Sequence, residues 1–131
     1  MAFPIEEIPN TDKVFLRIHK VNLNLDKEEE KEKIKPYHSF EQKGEDGLSV
    51  DWSKYATAEN TKLRAKKPED NGVVSFSVNQ LRDVSLTVVH KPQNYQAHSL
   101  IKDIPKKIND LGIRLILRDI CKWEIHYKSD E

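Results

Sequence analysis

Leu48-Ser49-Val50-Asp51-Trp52-Ser53-Lys54-Tyr55-Ala56-Thr57-Ala58-Glu59 reads as a short strand, a turn and the start of a helix. Leu48 and Val50 alternate with Ser49 and Asp51, the period of two that buries one face of a strand. Thr57 is a good N-cap for a helix from Ala58 to about Lys66, with Glu59 favourably placed in its positive first turn. About forty residues on, Val88-Val89-His90-Lys91-Pro92-Gln93-Asn94-Tyr95-Gln96-Ala97-His98-Ser99-Leu100-Ile101 is its counterpart. Here a strand must stop before Pro92, whose ring removes a ladder donor, and Ala97–Ile101 starts another. Between them the two stretches hold most of the aromatic, histidine and hydroxyl side chains that adjoin expected strands, where a scaffold can fix polar groups in space.

Working outward, residues 1–12 carry Pro4 and Pro9 and read as an extended arm, and Val14–Lys20 alternates as a strand with Arg17 and His19 on one face. Asp26 to Pro36 is a charged, exposed excursion in which Glu28-Glu29-Glu30 followed by Lys31 and Lys33 allows one solvated helical turn. Val73–Val78 is the clearest strand, Asn79 is a candidate cap for a short turn through Arg82, and Ser85–His90 is a further strand. Pro105 suits the first position of a terminal helix, with Ile104, Ile108, Leu111 and Leu115 on one stripe and Ile113, Leu117 and Ile120 on a second row. The two rows together favour a helix continuing to about Cys121. The alternative ends it at Gly112 and makes strands of Ile113–Arg118 and Trp123–Tyr127. The expected fold is one α+β domain over residues 1–131, with a mixed or mainly antiparallel sheet of about five strands covered by two helices.

At 131 residues the chain can bury a core without disulfides or metals. Its 22 basic and 22 acidic residues cancel, which argues against a dedicated nucleic-acid binder and against attraction to anionic lipid. The single Cys121 cannot close an internal disulfide, which favours a reducing cytoplasm. No basic and apolar leader and no long apolar run is present, so neither export nor membrane spanning is expected.

Four glycines at 44, 47, 72 and 112 form neither a dinucleotide fingerprint nor a phosphate loop. The five histidines, 19, 38, 90, 98 and 126, show no helical pair of metal ligands, so no metal is expected. Cys121, in apolar company, reads as core filler rather than nucleophile. The remaining candidates each have two readings. Arg17 and His19 either clamp an anion or pair with surface charges. Ser49 and Asp51 share a strand face; Asp51 serves as a general base or does turn and capping work. Trp52 and Tyr55 stack on a flat ligand, or Trp52 plugs the core. His90 and His98 face each other across the Pro92 turn to bind a ligand, or are hydrogen-bonded parts of the scaffold.

The phrase from Gly47 to Glu59, then Gly72-Val73-Val74-Ser75-Phe76, then His90-Lys91-Pro92 through Ala97-His98, resembles a group of short uncharacterised bacterial proteins. That resemblance spans about residues 14–102 and implies a bacterial origin and a single domain. A weaker likeness is to ADP-ribosyltransferase folds of the RES kind. It would carry NAD binding onto Arg17, Ser49 and Glu59, although the loose spacing departs from that family's pattern.

Two functions are therefore expected in competition. One is a small soluble binding module without a cofactor, acting on a protein partner or on its own copy and serving as an accessory to a bacterial operon. The other is an ADP-ribosyltransferase-like enzyme or NAD or nucleotide-binding domain. In the second, Arg17 and His19 hold an anion, Ser49 orients the ligand, and His98 or Glu59 handles a proton or charge. The second requires Arg17, His19, Ser49 and His98 to meet at one concavity.

Overall fold

The computed structural model describes residues 3–23, 30–40, 47–105 and 111–127. Six strands make one antiparallel sheet: β1 Lys13–His19, β2 Leu48–Trp52, β3 Asn71–Ser77, β4 Thr87–His90, β5 His98–Lys102 and β6 Lys122–Ile125, in spatial order β4-β5-β2-β1-β3-β6. Helical segments lie between them: α1 Glu30–Lys33, α2 Pro36–Ser39, α3 Ala58–Leu63, α4 Val78–Asp83 and α5 Leu111–Ile120. The α+β class and the antiparallel sheet follow the sequence reading, with one strand more than expected. Among the described residues no helix is long and apolar enough to cross a membrane.

Strand pairing explains which alternating positions face the core. Val14 sits opposite both Trp52 and Phe76, so Val14, Leu16 and Ile18 share a face with Val50, Trp52, Val74 and Phe76. These side chains belong to one buried cluster with Ile34 and Phe40 beside the early helices, Leu81 of α4 and Leu117 of α5. Burying a side chain of this kind contributes roughly 1.5–3 kcal/mol, so this face supplies most of the stability. The opposite face carries Phe15, Arg17, Ser49, Asp51, Val73, His98 and Leu100, and α3 packs across it.

The helices begin where chemistry satisfies their first amides. At α3 the Thr57 hydroxyl accepts from the Asn60 amide at 3.1 Å while the Asn60 side chain accepts from the Thr57 amide at 3.0 Å, a reciprocal box worth about 1 kcal/mol. The helix stops at Leu63, short of the expected Lys66. The Lys62 ammonium turns inward to the carbonyls of Pro68 and Asn71, at 2.8 and 2.6 Å, and draws the chain into the turn before β3. Asn79 is not the cap of α4. That helix starts at Val78 because the arm supplies its acceptors: the Val78 amide donates to Asp12 O and the Asn79 amide to Asn10 O. β4 begins at Thr87 rather than Ser85, since Ser85 takes a left-handed φ of 66° that no strand accommodates.

Both readings of the C-terminal third hold in part. Residues 111–120 are helical, and Gly112 lies within that helix instead of ending it, yet Lys122–Ile125 forms β6. The row packed on the core is Ile113, Leu117 and Ile120, of which Leu117 is fully buried and the other two partly; the start of the expected helix after Pro105, including Ile108, lies outside the described residues. β6 approaches β3 so closely at Gly72 that a β-carbon there would stand 2.7 Å from Ile125 O and 2.8 Å from the Trp123 ring. Within the described part of the charged excursion, Glu30–Lys33 forms a helical turn, and Ile34 after it is fully buried and bridged to Leu23.

Candidate functional site

β1 and β2 pair at only two positions, Val14 with Trp52 and Phe15 with Asp51. Beyond them β1 continues along β3 as far as His19 opposite Asn71, while β2 continues along β5 from Asp51 opposite His98 to Leu48 opposite Ile101. The two central strands therefore part, and a cleft of about 260 Å³ opens between them. Arg17 and His19 line it from β1, Ser49 and Asp51 from β2, Thr61 from α3, and His38 and Ser39 from α2. A second depression, about 610 Å³, adjoins it through Arg17, His19 and Asn71 and is lined further by Lys66 and Lys67.

Each polar group in the cleft is oriented by a neighbour. Arg17 donates to Thr61 O at 3.1 Å, which uses one of the five donors on its guanidinium. The His19 Nδ1 accepts from the Val21 amide at 3.0 Å, so its neutral ring carries its proton on Nε2. Asp51 is buried and accepts from the Thr61 hydroxyl at 2.7 Å and from Arg64, whose guanidinium lies 4.1 Å above the Tyr95 ring. Burial first, and the Asp51 charge second, push the Tyr95 phenol above its ordinary range. Ser49 is exposed, and its hydroxyl lies 2.9 Å from Nε2 of buried His98. The Nδ1 of His98 lies 2.7 Å from Lys91 O, which can only accept, so Nδ1 holds the ring proton and Nε2 accepts from Ser49.

Arg17, His19, Ser49 and Asp51 thus come together, and His98 joins them through Ser49. Glu59 does not: it is exposed in the first turn of α3 and is not among the residues that line the cleft. Trp52, Tyr55 and His90 also meet, but on the core side. The Trp52 and His90 rings are 5.0 Å apart, those of Tyr55 and His90 stack at 6.1 Å, and Trp52 Nε1 donates to Asp12 at 2.8 Å. His90 accepts from the Glu6 amide and lies 2.7 Å from Gln96 O, so both ring nitrogens are engaged by the backbone. These three are a packed cluster under the N-terminal arm.

His90 and His98 do not face each other. The hairpin register sets His90 opposite Ser99, which turns His98 to the other face of the sheet. Thr61, Arg64 and Tyr95 were not singled out from sequence, since a threonine, an arginine and a tyrosine outside strands carry no motif. Cys121 is fully buried, and burial pushes its thiol up to about 11. Among the described residues no group of three or more histidine, cysteine or acidic side chains is placed to hold a metal. Comparison of the chain with protein-family models, curated proteins and solved structures finds no match.

Proposed function

We propose that the chain is a binding module whose split sheet receives a small phosphate-bearing ligand, with nucleotides and NAD as the class to test. The observation that carries this reading is the meeting of Arg17 and His19 on β1 with Ser49 and Asp51 on β2 at one cleft, continued by Lys66 and Lys67 in the adjoining depression. The guanidinium fork and the His19 Nε2 proton are donors suited to phosphate oxygens. Asp51 does not oppose an incoming anion with a bare charge, because Arg64 and Thr61 already hold it. The Ser49 hydroxyl and the Asn71 side chain supply neutral polar contacts at the same walls. A protein-docking role draws less support, since among the described residues the exposed large apolar side chains are Phe3 and Ile5 on the arm, Val21 just after β1, Leu63 on α3 and Ile116 on α5, spread over four separate places.

Thermal shift with inorganic phosphate, ATP, ADP-ribose and NAD tests it, because a ligand that binds only the native state must raise its apparent stability. At a hundred times its Kd the gain is about 2.7 kcal/mol, or on the order of 10 °C for a domain of this size. Arg17→Ala should abolish the shift while leaving the unliganded melting temperature within a few degrees. Absence of any shift across the four ligands refutes the reading.

A further inference from the structure

We infer that Ser49 is a nucleophile activated by His98, and that the cleft carries out acyl transfer from carboxylic esters. Three observations converge on it. The Ser49 hydroxyl is exposed in the cleft, where a substrate can reach it. Its proton points at His98 Nε2, 2.9 Å away, and the Lys91 carbonyl holds the ring in the neutral tautomer whose Nε2 is the acceptor of that proton. Asp51 faces His98 directly across the β2–β5 ladder and so places a carboxylate near the imidazolium that would form.

The balanced step is as follows. Ser49 Oγ attacks the carbonyl carbon of the ester as its proton passes to His98 Nε2, and the carbonyl π electrons move onto oxygen. Arg17, a cation on the opposite wall of the same cleft, is the group we assign to stabilise that oxyanion. Collapse breaks the carbon–oxygen bond to the leaving alkoxide, which takes the proton from Nε2. Water then repeats the sequence on the acyl-serine, releasing the carboxylic acid and restoring Ser49. The nucleophile does not depend on the anion-binding reading, which bears only on which esters would be selected.

An alkyl fluorophosphonate probe tests the nucleophile by itself, since it carries no anionic group. Attack by Ser49 on phosphorus expels fluoride and leaves a stable adduct, read by intact mass and peptide mapping. The expected result is one adduct at Ser49 on folded wild-type protein, lost in Ser49→Ala and at least tenfold slower in His98→Gln, following the usual scale of general-base assistance. His98 is buried, so its variant must first show a wild-type circular dichroism spectrum. Ser49→Cys provides a second measurement that leaves His98 in place. The introduced thiol, beside an imidazole, should be alkylated by iodoacetamide at about pH 6 at least tenfold faster than a cysteine in an unstructured peptide. A folded wild type left unmodified at Ser49 overturns the inference, and so does an introduced thiol no more reactive than the peptide.

Discussion

Asp51 and Thr61 are joined by a 2.7 Å hydrogen bond between the buried carboxylate on β2 and the hydroxyl on α3. That bond fixes where the helix rests on the polar face of the sheet. The carbonyl of the same Thr61 accepts from Arg17, and Arg64, one residue beyond the helix, pairs with the same carboxylate. Docking of α3 and orientation of the cleft's arginine are thus one event. A polar residue on each of two elements sets the wall of the site, while the apolar core lies on the other side of the sheet.

Thr61→Val keeps the shape of the side chain and removes only the hydroxyl, so Asp51 loses one partner and retains Arg64. The expected cost is about 1–2 kcal/mol in urea unfolding. Asp51→Ala leaves Arg64 and Thr61 both without the carboxylate and should cost about 2–4 kcal/mol, discounted from a fully buried pair because a third of Arg64 remains exposed. In the double variant the two losses should fall short of additivity by about 1 kcal/mol, as expected for groups that share a bond. Strict additivity would mean that the bond does not couple strand to helix.

Arg114 is 2% exposed and bridges two carbonyls, Phe40 O at 2.8 Å and Pro105 O at 2.7 Å. It ties α5 to the end of α2 and to the segment that follows β5. Arg114→Ala removes two charge-assisted hydrogen bonds and opens a cavity, and should destabilise by roughly 3–5 kcal/mol. Arg114→Lys supplies a single ammonium in place of a fork and should recover less than half of that loss. A loss below about 1 kcal/mol for the alanine variant, measured by denaturant melts, would deny Arg114 this role.

The sheet was legible because Val14, Leu16 and Ile18, or Leu48 and Val50, obey a local period that burial on one face imposes. The Thr57 cap was legible for the same reason, since its partner is three residues away. What escaped depends on distant neighbours. The cleft exists because β1 parts from β2 after Phe15 while it stays paired with β3 throughout, and nothing near Phe15 in sequence signals that parting. His90 and His98 have an even spacing, and only the register of the turn decides that they point apart. Lys62 and Arg114 carry no local sequence signal of burial. Both are buried because backbone carbonyls left over at loop ends need donors there.

Glu6 lies in the arm, and hydrogen bonds from Lys54 first and Tyr55 second lower its carboxyl from the ordinary value. A carboxyl with a depressed folded pKa stabilises the fold above its ordinary titration range, and the stabilisation is lost as pH falls through the folded value. Glu6→Gln should therefore be less stable than wild type at neutral pH, with the gap closing as pH falls through and below the ordinary glutamate value of about 4.3, where the unfolded glutamate protonates first. Asp70, lowered by Lys20, adds a similar acid slope common to both proteins. A gap that stays constant down the acid limb would show that the arm's contact with Lys54 and Tyr55 does not form in solution.

Cys121 sets the alkaline side. Its sulfur sits fully buried after α5 and donates to Arg118 O at 3.2 Å, and burial raises the thiol to about 11. The unfolded thiol ionises near 8.5–9, so the native state binds the proton more tightly, and the sign is opposite to that of Glu6. Stability is intact below the unfolded value and falls as pH rises toward the folded one, by up to about 2–3 kcal/mol. Lys20, Lys54 and Tyr95, raised as well, contribute their own losses at higher pH, so the thiol's part must be read as a difference. Cys121→Ala should be less stable at pH 7 by about 1–2 kcal/mol for the cavity it opens. Between about pH 8 and pH 10.5 its stability should fall more gently than that of wild type. Parallel curves over that interval would mean that water reaches the thiol and that α5 does not seal this end of the core.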